Sequence, residues 1–110
     1  MQATDMEGYQ QIGRTADFPR RLGKTVRIGT IELAVFQTTE GEIFALENRT
    51  PHPKGGTLAE AIVSGRSIYC PMRDLKIDLA SGRVQEPDTG RAQVYPVTVE
   101  GGQVYVKVKT

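Results

Sequence analysis

The sequence predicts an all-β fold of antiparallel strands, packed as a sandwich or small barrel. Three observations predict it. Apolar and polar residues alternate over short runs, the period of a strand with one buried face. Glycine-bearing turns separate those runs at short intervals. No segment sustains the 3.6-residue apolar period of an amphipathic helix.

Residues 1–8 are polar and are expected to be loose, leaving one domain over residues 9–108. Tyr9 to Gly13 reads as the first strand. Ala16-Asp17-Phe18-Pro19 reads as a turn or one short helical turn, with Pro19 ending regular pairing. Lys24 to Ile28 and Ile31 to Gln37 flank Gly29-Thr30, a length suited to a tight hairpin. In the second of these, Ile31, Leu33 and Val35 alternate with Glu32 and Ala34, which predicts one buried face. Thr38 to Gly41 turns the chain, and Glu42 to Leu46 is the next strand, anchored by Ile43 and Phe44. Leu58 to Val63 is ambiguous between strand and irregular chain. Ser64-Gly65-Arg66 is a turn, and Ser67 to Tyr69 leads into the second of two loops. Leu75, Ile77 and Leu79 alternate with Lys76 and Asp78 in a clear strand. Ala80-Ser81-Gly82 turns it toward Arg83-Val84, and Glu86 to Arg91 is a connecting loop. Val94 to Val99 and Gln103 to Val108 flank Glu100-Gly101-Gly102 in a hairpin, with Val104, Val106 and Val108 facing in and Tyr105 and Lys107 facing out.

Composition narrows the function. The 110 residues carry 14 Lys+Arg against 13 Asp+Glu, a formal net charge of +1, which gives no electrostatic reason to bind nucleic acid or an anionic membrane. Aromatic residues are 6% and unclustered, so there is no stacking platform for single strands. No apolar run approaches the roughly 20 residues of a membrane-spanning helix. A single cysteine cannot form an internal disulfide, and a cytoplasmic location is the default expectation. Neither a dinucleotide-binding glycine fingerprint nor a phosphate loop occurs.

The chemistry-bearing residues gather between Glu47 and Asp88. His52, the only histidine, lies in P-H-P-K-G-G. Cys70, the only cysteine, lies in C-P-M-R-D. Two proline-bearing loops around a short strand-like stretch resemble the cluster-binding loops of a Rieske iron–sulfur domain, with a cluster-loop-like subdomain over about residues 47–88. A Rieske centre holds two irons, one on two cysteines and the other on two histidines. The resemblance implies that the first loop supplies ligands as C-x-H and the second as C-x-x-H. The matching positions here are Thr50, His52, Cys70 and Arg73. Thr50 offers a neutral hydroxyl where iron takes a thiolate. Arg73 offers a guanidinium that stays protonated and has no lone pair to donate. With one cysteine and one histidine, no register of the chain yields two of each. The expectation is therefore no cofactor, metal or catalytic residue on this chain. Arg73 is expected to replace the cluster as a staple, reaching Thr50 or carbonyls of the facing loop, with Asp74 or Asp88 as anionic partners.

The chain as a whole resembles the small subunit of the assimilatory NAD(P)H-dependent nitrite reductase, a Rieske-fold family. The resemblance rests on D-F-P-R-R-L-G-K-T-V-R-I-G, E-I-F-A-L-E-N-R, P-H-P-K-G-G-T-L-A-E, Y-C-P-M-R-D-L-K-I-D-L-A-S-G, Q-E-P-D-T-G and Y-P-V-T-V. It implies a β-sandwich with a small cluster-binding-type subdomain, and an accessory role beside a large subunit. That large subunit would carry flavin, sirohaem and a four-iron cluster and reduce nitrite to ammonium. Two other readings are a Rieske-type ferredoxin that carries electrons to an oxygenase, and a cluster-free scaffold or binding domain.

Overall fold

A computed structural model describes residues 8–52, 55–70, 74–85 and 89–108. Among the described residues ten strands follow in order: β1 (Tyr9–Arg14), β2 (Gly23–Ile28), β3 (Ile31–Gln37), β4 (Ile43–Glu47), β5 (Ile62–Ser64), β6 (Ser67–Cys70), β7 (Leu75–Asp78), β8 (Val94–Tyr95), β9 (Val97–Glu100) and β10 (Gln103–Lys107). One 3-10 turn, Thr15–Asp17, follows β1, where a short helical turn is expected from the sequence. The strands form three antiparallel sheets, ordered β1-β10-β9, β2-β3-β4-β8 and β5-β6-β7.

The four-stranded sheet is the middle layer. One of its faces presents Leu33, Val35 and Ala45 to Val104 and Val106 of the first sheet. The other presents Ala34, Phe36 and Leu46 to Val63, Ile68 and Ile77 of the third. Alternation in β3 therefore sorts residues between two cores, not between core and water. Ala34, expected on a polar face, is fully buried, as are Leu33, Val35 and Phe36. A sheet covered on both faces has no solvent side for its centre to show.

The last hairpin forms, but the strand expected at Val94 to Val99 is two strands in two sheets. Pro96 separates them. It has no N–H to continue the ladder of β8 against β4. Its carbonyl instead accepts from Lys107 N–H at 3.0 Å, and β9 then pairs with β10. Tyr105, expected to face out, is half-buried, and Lys107 is exposed. In β7 the alternation holds as expected: Leu75 and Ile77 are buried and Lys76 and Asp78 exposed. The ambiguous stretch resolves into a turn, with Ala61 N–H donating to Leu58 O at 2.9 Å, and then the short β5.

Two glycines mark where backbones cross. A Cβ at Gly23 would lie 2.3 Å from Ala59 O, so β2 touches the chain that leads into β5. A Cβ at Gly82 would lie 2.2 Å from Ala92 O. Gly82 also has φ +78, and its carbonyl accepts from Ala92 N–H at 2.7 Å. These contacts fix the third sheet and the 91–94 segment against the rest of the molecule.

Candidate functional site

The first loop leaves β4 at Glu47 and is clamped at once. Asn48 N–H donates to Glu32 O at 2.8 Å, anchoring the loop to β3. The Asn48 side-chain oxygen accepts from Leu58 N–H at 2.7 Å and Ala59 N–H at 2.9 Å, so it joins the two ends of the loop. Between them, Thr50 N–H donates to Gly56 O at 3.0 Å and Gly55 N–H to His52 O at 2.9 Å. Thr50 is only 3% exposed, and its hydroxyl oxygen accepts His52 N–H at 3.2 Å. Thr50 therefore serves its own loop, as a side-chain-to-backbone turn. His52 is half-buried.

The second loop begins at the end of β6, where Cys70 pairs with Leu75 of β7. Cys70 is 6% exposed and belongs to the core cluster with Leu58, Leu75 and Ile77. Burial pushes its thiol pKa up, and the Glu60 carboxylate pushes it further. A thiol so placed stays protonated at neutral pH and packs as a small hydrophobe. Glu60 is itself held by the Thr57 hydroxyl, which donates to its carboxylate at 2.6 Å. Arg73, expected to staple the loops, lies outside the described residues, as does Asp88. Asp74 has a role of its own. It sits at φ +53 and accepts the Tyr69 hydroxyl at 2.9 Å, an arrangement that raises the Tyr69 pKa.

The donor chemistry does not fit a two-iron cluster. Such a cluster takes two thiolates and two imidazoles, and the chain holds one cysteine and one histidine. Of the four matching positions, Thr50 spends its hydroxyl oxygen on backbone and Cys70 is packed in the core. Among the described residues, no group of three or more His, Cys, Asp and Glu side chains could hold a metal ion.

Sequence reasoning singled out Thr50, His52 and Cys70 but missed Asn48 and Glu60. Asn48 had a readable signal: an asparagine at the end of a strand, just before a proline-bearing turn, is a common backbone acceptor. Glu60 had none, since its influence on Cys70 spans two segments brought together only by folding.

Residues 8–107 match the model of the Rieske-like [2Fe-2S] domain. The naphthalene 1,2-dioxygenase system ferredoxin component of Pseudomonas aeruginosa is 34% identical over 76 residues, 68% of this chain and 71% of that protein. The 3-phenylpropionate/cinnamic acid dioxygenase ferredoxin subunit of Escherichia coli (strain K12) is 27% identical over 92 residues, 83% of this chain and 85% of that one. Among solved structures, one named as an NADH-dependent nitrite reductase small subunit from Mycobacterium tuberculosis superposes with a TM-score of 0.82 at 18% identity. The match covers 93% of this chain and 96% of that one. A likeness at that identity speaks for the fold alone. The Sphingomonas yanoikuyae B1 ferredoxin superposes with a TM-score of 0.76 at 25% identity, covering 91% and 98%. By the match along its length and by its three-sheet architecture, this chain belongs to the Rieske-like [2Fe-2S] domain family.

Proposed function

We propose that this chain is a cluster-free member of its family and serves as the accessory small subunit of an NAD(P)H-dependent nitrite reductase in the cytoplasm. One observation carries the first half: one cysteine and one histidine in 110 residues cannot furnish a Rieske ligand set. The positions that correspond to ligands are Thr50, His52, Cys70 and Arg73, and two of these four are residue types that cannot serve the cluster. The second half draws on the stretches from D-F-P-R-R-L-G to Y-P-V-T-V, which resemble that small-subunit family along most of the chain. In this reading the flavin, sirohaem and four-iron cluster belong to the large subunit, and the chemistry with them.

The sequence relatives favour a second reading, a Rieske ferredoxin that serves an oxygenase, since the dioxygenase ferredoxin of Pseudomonas aeruginosa is 34% identical. The donor set argues against it, because an electron carrier without a redox centre carries nothing. Co-expression with a large flavin–sirohaem reductase chain from the same organism tests the proposal. The expected result is a stable complex whose NAD(P)H-dependent nitrite reduction, or whose stability, falls when this chain is left out. Absence of a complex, with electron delivery to a Rieske oxygenase instead, would establish the ferredoxin reading.

A further inference from the structure

Beside the first loop a polar cleft of about 460 Å³ opens, and Arg49, Arg91, Glu47, Gln93, Thr50 and Pro51 are on its walls. We infer that this cleft is a docking site for an acidic segment of a partner chain, with one carboxylate seated between Arg49 and Arg91. The identity of the partner rests on the accessory-subunit reading; the chemistry of the cleft does not.

Four observations carry the inference. First, both guanidiniums are exposed, and among the described residues neither has a carboxylate within ion-pair reach; the ion pairs there are Arg27–Glu32 and Arg66–Glu42. Second, Arg91 lies directly opposite Arg83 in an antiparallel bridge. Like charges facing across a strand pair are mildly unfavourable, and an anion beside Arg91 offsets one of the two. Third, the site is built before anything binds. Arg91 Nε–H donates to Ser81 O at 3.2 Å, which directs the rest of its guanidinium. Gly90, at φ +132, lies so close to the first loop that a Cβ there would stand 3.3 Å from Pro51 Cβ, which ties the two walls together. Fourth, the volume suits a peptide. At about 460 Å³ and open along one side, the cleft has more room than one small oxyanion needs. Arginine forks match carboxylates in bidentate geometry, and Glu47 on the same wall offers an acceptor for a donor elsewhere on the segment. The +1 net charge of the chain makes this a local feature, not a general basicity.

The test measures affinity for the large flavin–sirohaem chain at two salt concentrations, with wild type, Arg49→Glu, Arg91→Glu and, as a control on the outer face of β7, Lys76→Glu. The expected result is a loss of about tenfold or more for each arginine reversal, a change under about twofold for the control, and a flatter salt dependence in the reversed variants. Circular dichroism and thermal unfolding establish that each variant is folded. If the wild type binds and both reversals bind within about twofold of it, the cleft is not the docking site, while the accessory reading stands. If the wild type does not bind, the accessory reading falls. A second arm then judges the cleft alone: a glutamate-rich peptide, its glutamine counterpart and inorganic sulfate are titrated in turn into 15N-labelled protein. Shifts of the Arg49 and Arg91 Nε–H signals with the acidic peptide and not the glutamine one support the site. No shifts, or sulfate saturating the site and excluding the peptide, overturn it.

Discussion

Replacing Gly82 by alanine should be among the most damaging single-methyl additions in the protein, and the structure supplies its own controls. At Gly82 two costs coincide. The residue holds φ +78, and a Cβ would stand 2.2 Å from Ala92 O and 3.0 Å from Val94 Cγ1. Gly65 has φ +60 and nothing within 4 Å, so Gly65→Ala isolates the backbone cost, about 1–2 kcal/mol for a left-handed alanine. Gly23 has no positive φ but would place a Cβ 2.3 Å from Ala59 O, so Gly23→Ala isolates the steric cost, about 1–3 kcal/mol for overpacking. The nearest blocking atom is a backbone carbonyl oxygen in both, so rotating a side chain relieves neither clash, and at Gly23 the Phe36 ring, 2.6 Å away, adds to it. Gly82→Ala combines the two and should lose about 3 kcal/mol or more, a fall in Tm of roughly 12 °C or more for a domain of this size. Urea and thermal denaturation of the three variants, followed by circular dichroism, measure it. If Gly82→Ala costs no more than Gly65→Ala, the close crossing of the 80–82 turn with the 91–94 segment is wrong.

Other perturbations separate the roles of the loop residues. Asn48→Ala removes the acceptor shared by Leu58 and Ala59 and should cost about 2–3 kcal/mol, with faster hydrogen exchange at those two amides. Thr50→Val keeps the shape but removes the hydroxyl that accepts His52 N–H and should cost about 1–3 kcal/mol by the same measurement of stability. Cys70 should resist thiol reagents at pH 7 in the native state and react quickly once unfolded in urea. Its pKa is raised on folding, so the folded state favours the protonated thiol. The resulting stabilisation is complete below the unfolded value of about 8.5 and is lost as pH rises through the folded one. Stability measured at pH 7 and pH 10 should therefore fall less for Cys70→Ala than for the wild type; an equal fall would mean the thiol is exposed.

Strand identity was legible in the sequence wherever one face meets water, as in β7, where Lys76 and Asp78 alternate with buried partners. It was less so in β3. There the alternation was read correctly but assigned to core and solvent, because a small residue such as Ala34 looks the same on a second buried face as on an exposed one. Pro96 was visible, yet its consequence depended on there being two sheets for the chain to pass between. In the candidate site, the count of one cysteine and one histidine was readable from composition alone. The clamping of the first loop by Asn48 and the approach of Glu60 to Cys70 were not, since both join residues that no local pattern connects. The two close crossings at Gly23 and Gly82 were likewise hidden, because a turn glycine and a crossing glycine are the same letter.

If the Rieske-like loops of this chain are held by protein contacts alone, the protein as isolated carries no iron. The most direct measurement is iron and acid-labile sulfide per chain, with the visible spectrum, on protein purified without air from iron-replete cells. The expected result is less than about a tenth of an iron per chain and no visible absorption from a protein that unfolds cooperatively. Two irons and two sulfides per chain with a brown colour would contradict it, since His52 and Cys70 would then have to be part of a ligand set that a single chain cannot complete.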